Sequence, residues 1–180
     1  MSSVIIAGDT SGSITVAAPA AAGTNTITLP ASTGTMALTS DVDNVLNTYA
    51  TFVNSTEKVT VAATAATGTI NYDTGTQSVV YYTSNAAGDW TINFRDSSGA
   101  TLNSVLTTGE AITVVHLVTI GSSEYRNTTV QVDGSGITPE WQGGSAPTEG
   151  NANSIDSYAY TIIKTGDAAF TILAALVQFA

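Results

Sequence analysis

Across residues 58–180 the chain runs in short stretches of alternating apolar and polar side chains, each closed by Gly, Asn, Asp or Ser. A period of two turns successive side chains to opposite faces of a strand, so these stretches predict sheets, each with a buried face. Trp90, Ile92 and Phe94 alternate with Thr91, Asn93 and Arg95, and residues 85–89 separate them from Tyr81, Tyr82 and Thr83. That spacing predicts a hairpin. A second hairpin is expected between 111–120 and 125–132 across Gly121-Ser122-Ser123, with 113–118 apolar enough for burial on both faces. A third joins 158–163 to 168–176 across Thr165-Gly166-Asp167. With no helical period between them, the expectation for 58–180 is an antiparallel β-sandwich or jelly roll.

Composition narrows the function classes. Thr, Ala, Ser and Gly fill half of the 180 positions, and charged residues are only 10%. A large catalytic constellation is not expected from so few reactive side chains. Four Lys and Arg against fourteen Asp and Glu give a formal charge of -10 and a pI near 4.1. Phosphate backbones and anionic headgroups are repelled by such a surface, so neither nucleic acid nor a membrane is an expected partner. With no cysteine, disulfides and thiolate chemistry are absent. The N-terminus lacks a basic region and its apolar run is broken by Gly8 and Asp9, unlike a signal peptide. Thr, Ser and Gly interrupt every run before the ~20 residues that span a bilayer. A soluble protein is expected.

Residues 1–40 carry a loose repeat: Ser11-Gly12-Ser13-Ile14-Thr15-Val16, Gly23-Thr24-Asn25-Thr26-Ile27-Thr28-Leu29, and Gly34-Thr35-Met36-Ala37-Leu38. Each reads as a short strand, and Pro19 and Pro30 mark strand exits. Six modest apolar side chains cannot hold a core, so this segment needs another chain to order it. Residues 41–57 read as a short helix capped by Ser40, with Val42, Val45, Leu46, Tyr49, Phe52 and Val53 on one stripe. It is either an amphipathic helix lying on the next domain or a brief parallel coiled-coil neck.

Few residues offer chemistry. His116 is the sole histidine and shares a strand face with Ile112, Val114, Val118 and Ile120. A satisfied core or interface histidine is favoured over a metal site on an oligomer axis. Asp41-Val42-Asp43-Asn44 fails as a calcium loop because Leu46 stands where the turn needs Gly. Asp89, Asp96 and Glu110 would serve as a glycosidase pair only if two of them came within ~5–9 Å. Lys58, Arg95, Arg126 and Lys164 read as paired surface cations. The irregular stretch 133–154 reads as a long loop, with Trp141 as a hydrophobic anchor in preference to a platform for a sugar ring. No catalytic, cofactor or metal-binding residues are predicted, and the chain is not read as an enzyme.

The sequence Ala17-Ala18-Pro19-Ala20-Ala21-Ala22-Gly23-Thr24-Asn25-Thr26-Ile27-Thr28-Leu29-Pro30-Ala31, with Thr33-Gly34-Thr35-Met36-Ala37-Leu38 after it, resembles the N-terminal segments of fibre and other virion structural proteins of tailed bacteriophages, especially those of aquatic and cyanobacterial hosts. Thr69-Ile70-Asn71-Tyr72-Asp73, Pro139-Glu140-Trp141-Gln142-Gly143-Gly144 and Thr161-Ile162-Ile163-Lys164-Thr165-Gly166 are similar to the same group. The resemblance implies a homotrimeric appendage on the particle surface: residues 1–40 attached to other virion proteins, a neck over 41–57, and a distal β domain over 58–180. Host polysaccharide or protein would then meet the loops of that domain. Asn85, Asp89, Asp96, Trp141 and Asn151 are the candidate receptor-facing or loop-anchoring residues. A head-surface decoration protein is the alternative, and a polysaccharide depolymerase is a weaker one.

Overall fold

The computed structural model describes Ser3–Ala7, Ser13–Ala17 and residues 56–179, in two compact units, Met1–Val53 and Asn54–Ala180. In the first unit β1 (Ser3–Ala7) pairs antiparallel with β2 (Ser13–Ala17), Ile5 opposite Thr15. The strand expected at 11–16 is therefore present, and its partner lies outside the repeat. The other repeats and all but the last two residues of the helix expected at 41–57 lie outside the described residues, and those two, Thr56 and Glu57, are not helical.

The second unit is mainly β and holds β3 (Val59–Ala65), β4 (Gly68–Asp73), β5 (Val79–Ser84), β6 (Trp90–Arg95), β7 (Ala111–Thr119), β8 (Asn127–Val132), β9 (Ser135–Ile137), β10 (Glu140–Trp141), β11 (Ile155–Gly166) and β12 (Ala169–Phe179). One four-residue helix, α1 (Leu102–Val105), interrupts them. Six strands form one sheet in the order β10-β12-β11-β7-β5-β3, and four form another in the order β4-β6-β8-β9.

Two of the three expected hairpins do not exist. β5 and β6 lie in different sheets, as do β7 and β8. From β3 to β8 the chain crosses from one sheet to the other after every strand, so each strand returns parallel to the one two places before it. Both sheets are consequently mixed, and the expected antiparallel pattern survives only at β7–β11, β11–β12 and β8–β9. The third hairpin is present, turning at Asp167 and Ala168. Its turn is held by Asn103, whose Nδ2 donates to Asp167 Oδ1 at 3.0 Å and whose Oδ1 accepts from Ala168 N at 2.8 Å.

The facing sides of the two sheets enclose an aromatic core. Trp90 meets Tyr158 edge-on at 5.7 Å, and Phe94 meets Tyr160 at 5.0 Å. Buried Asn127 orders this row: its Nδ2 donates to Trp90 O and Thr129 O, and its Oδ1 accepts from the Tyr160 hydroxyl at 3.2 Å. The Tyr72 hydroxyl reaches from the smaller sheet to Ser78 O at 2.7 Å, with Val115 O at 3.1 Å. Such pairing removes the penalty of burying a polar group.

The two outward faces differ in kind. On the four-stranded sheet, Thr69, Thr91 and Thr129 stand side by side, then Asn71, Asn93 and Gln131, then Asp73 and Arg95. Asn93 Nδ2 donates to Asn71 Oδ1 at 2.8 Å, and Arg95 Nε to Asp73 Oδ1 at 2.6 Å. Water-facing strands read this way. Strand β7, expected to be buried on both sides, is buried on its inner side and half-buried on its outer side at Val115 and Leu117.

Between β6 and β7, the carboxylate of Asp133 accepts from the amides of Leu102 (2.8 Å) and Asn103 (3.0 Å) at the start of α1. Its backbone is left-handed, with φ 51°. Asp133→Ala should therefore cost about 2 kcal/mol, from the lost cap and from an alanine held in a conformation that Asp tolerates better. Urea denaturation of the two proteins measures it.

Candidate functional site

The parallel winding gathers four connections at one end of the second unit: residues 66–67, 85–89, 120–126 and 142–154. Main-chain hydrogen bonds lace them together. Ala87 N donates to Ala66 O (3.0 Å), Ala86 N to Thr119 O (2.9 Å), Trp90 N to Arg126 O (3.1 Å), and Asn153 N to Gly121 O (2.9 Å). Loops bound to one another in this way are a preorganised surface, the kind on which recognition residues sit.

Three of the five candidate residues meet at this end. Asn85 is exposed and its side chain lies over Gly121, where a Cβ would come within 3.0 Å of Nδ2. Asp89 is exposed and accepts from Arg126 N at 3.0 Å, fixing the entry of β6 beside that of β8. Asn151 is half-buried; its amide donates to Asp156 Oδ2 at 3.1 Å and its carbonyl accepts from Ser154 Oγ at 2.7 Å. Burial raises the Asp156 pKa, and the Asn151 amide opposes that rise by favouring the carboxylate. Glu124 and Glu149 are also exposed in these loops, so the end is acidic, with Arg126 half-buried among them.

Gly150 closes the arrangement. Its amide donates to Glu124 O at 2.9 Å, and a Cβ there would overlap the Tyr125 carbonyl oxygen, a backbone atom with little freedom to move. Gly150→Ala should cost about 1–3 kcal/mol and loosen loop 142–154. The check is thermal unfolding together with faster hydrogen exchange at the residue 150 amide.

Of the other two candidates, Trp141 borders these loops and Asp96 lies away from them. Asp96 follows β6 at the opposite end, a full strand of about 20 Å from Asp89. Glu110 precedes β7 at Asp96's end, and its carboxylate accepts from Thr107 N at 2.6 Å. The fold therefore separates Asp89 from Asp96 and Glu110, one of which a glycosidase pair would need beside it.

Trp141 is half-buried in β10, which pairs parallel with β12 at the sheet edge, so the stretch 133–154 contains two short strands that the sequence did not reveal. The indole lies edge-on to Tyr158 (6.5 Å) and Tyr160 (6.3 Å). Its outer side lines a groove of about 380 Å³ with Arg126, Thr128, Ile137, Pro139 and Pro147. It also borders a second groove shared with Asn151, Glu149 and Leu176.

His116 lies in the core of the second unit, enclosed by residues of the same chain. It is fully buried, edge-on to Tyr82 at 5.3 Å and to Trp90 at 5.8 Å. Neither ring nitrogen has a hydrogen-bond partner, so the expectation of a satisfied histidine is corrected. Desolvation lowers its pKa to about 3 and keeps the ring neutral.

Lys164 also departs from expectation. It is a buried lysine whose Nζ donates to Asn103 O (2.6 Å) and Leu106 O (2.8 Å), the carbonyls around α1, and is not a paired surface cation. No sequence signal marked it beyond its inward parity on β11. Among the described residues no group of three or more His, Cys, Asp or Glu is placed to hold a metal ion. No helix among them is long and apolar enough to cross a membrane. No family model matches the chain, and neither the curated proteins nor the solved structures gave a match.

Proposed function

We propose that this chain is a non-enzymatic structural subunit of a tailed-phage particle, forming a short homotrimeric appendage with residues 1–40 joined to other virion proteins and 41–57 as its neck. The observation that carries the attachment role is the gathering of Asn85, Asp89 and Asn151 on two of four interlaced loops at one end of a two-sheet β unit. That end offers carboxylates, amides and a tryptophan-lined groove, groups suited to hydrogen-bonding host polysaccharide or a polar protein surface. The resemblance of residues 17–38 to phage fibre segments supports attachment through the N-terminus. In this reading β1 and β2 supply strand edges for pairing with a carrier protein.

Antibody labelling of particles in the electron microscope tests it. Label at the tail or neck is the expected result. Label on regular capsid positions would instead make the chain a head-surface decoration protein, and absence from particles would overturn the virion assignment altogether.

A further inference from the structure

We infer that copies of this chain associate through the outward face of the six-stranded sheet. The inference rests on the homo-oligomeric reading above and names the surface that serves it.

Strand register assembles this face from residues far apart in sequence. Val59, Val79, Val115, Ala159 and Ala175 form one row across five strands. Val61, Tyr81, Leu117, Ser157 and Val177 form the next, and Thr119, Ile155 and Phe179 extend it at one end. Six large apolar side chains are exposed in the described chain, and five of them, Val59, Val61, Leu173, Val177 and Phe179, lie here. Val61 is 64% exposed and Phe179 56%. Nothing else in the second unit covers them.

Scattered exposed valines are ordinary, but two adjoining rows of mostly apolar side chains across a sheet face are not, even with the Thr113–Thr161 hydroxyl pair beside them. The same unit shows what its solvated face looks like: threonines, asparagines and an ion pair on the smaller sheet.

Area and charge both select a second copy as the occupant. Five strands about 4.8 Å apart and about nine residues long present about 700 Å², close to the ~800 Å² that each partner gives to a stable interface. A chain of formal charge -10 repels its copies over most of its surface. The outward positions of β3, β5, β7, β11 and β12 hold no charged residue, and Glu140 of β10, beside Leu173, stands only at the rim. This face is where two such chains can approach without bringing carboxylates together.

Light scattering on the full chain and on Val61→Glu/Val177→Glu tests the inference. Both positions are exposed within one subunit, so the substitutions leave the core intact, and near-UV circular dichroism of the buried aromatic core reports whether they do. The wild type should run at about three times the 18.3 kDa subunit mass, the double variant at the subunit mass, and a control, Thr129→Glu on the polar sheet, at the wild-type mass. A double variant that stays oligomeric overturns this interface and leaves the oligomeric reading standing. A wild type that is monomeric at micromolar concentration overturns both.

Hydroxyl-radical labelling of Tyr81 and Phe179 in the wild type needs no variant. Protection that disappears on dilution is expected. Full labelling of both residues at a concentration where light scattering shows the oligomer overturns the inference.

Discussion

His116→Leu is expected to stabilise the folded chain by about 1–3 kcal/mol at pH 7, and the gap over the wild type should widen as the solution is acidified. Two buried ring nitrogens lack partners, and each unsatisfied polar group costs on this order while an apolar side chain of similar size costs nothing comparable. The acid response follows from the pKa. In the unfolded chain the imidazole takes up a proton as pH falls through its ordinary value near 6.5, whereas in the fold it stays neutral to about 3. Stability is thus complete above 6.5 and declines with acid by roughly 1.4 kcal/mol per pH unit through that window. Asp156 acts with the opposite sign, because burial raises its pKa and the fold gains stability as it takes up a proton. That contribution is present in both proteins and cancels in their difference. Urea titrations at pH 7, 5.5 and 4 measure the gap; a gap that does not change with pH would show that the histidine is solvated.

Trp90→Ala should cost about 3–5 kcal/mol, the largest loss expected from any single truncation in the second unit. The indole is fully buried at the entry of β6 and packs edge-on against both His116 and Tyr158, which belong to the opposite sheet. Removing it leaves a cavity where the two sheets meet, and the surrounding strands are too constrained by their ladders to close it. Trp141→Ala should cost distinctly less, about 1–2 kcal/mol, because that indole is half-buried at a sheet edge and lines an open groove on one side. Thermal denaturation of the two variants ranks them. If Trp141 proves the more costly, loop 142–154 is a larger part of the core than its burial indicates.

Much of this unit is legible in its residues. Alternation located β6, β7, β8, β11 and β12, because a strand with one buried face must repeat every second residue whatever pairs beside it. The same parity put His116 on the inner face with Val114 and Val118, where it lies.

Short range is where that legibility stops. Alternation is identical in a hairpin, whose chain turns within one sheet, and in an arch, whose chain crosses to another. Residues 85–89 suit either. They make an arch because their donors find partners on other connections: Ala86 N on Thr119 O and Ala87 N on Ala66 O. Likewise β9 and β10 are too short to show a period, and Lys164 reads as a surface cation until the carbonyls around α1 come to it.

The sequence alone therefore determined where β6, β7, β8, β11 and β12 run and which face of each turns inward, since both are local consequences of the pleat and of apolar area leaving water. Only the tertiary structure decided which strands are neighbours, which loops share an end, and that valines from β3, β5, β7 and β12 join in one uncharged face. Those are long-range pairings, and their energy lies in hydrogen bonds and contacts between segments that no local pattern relates.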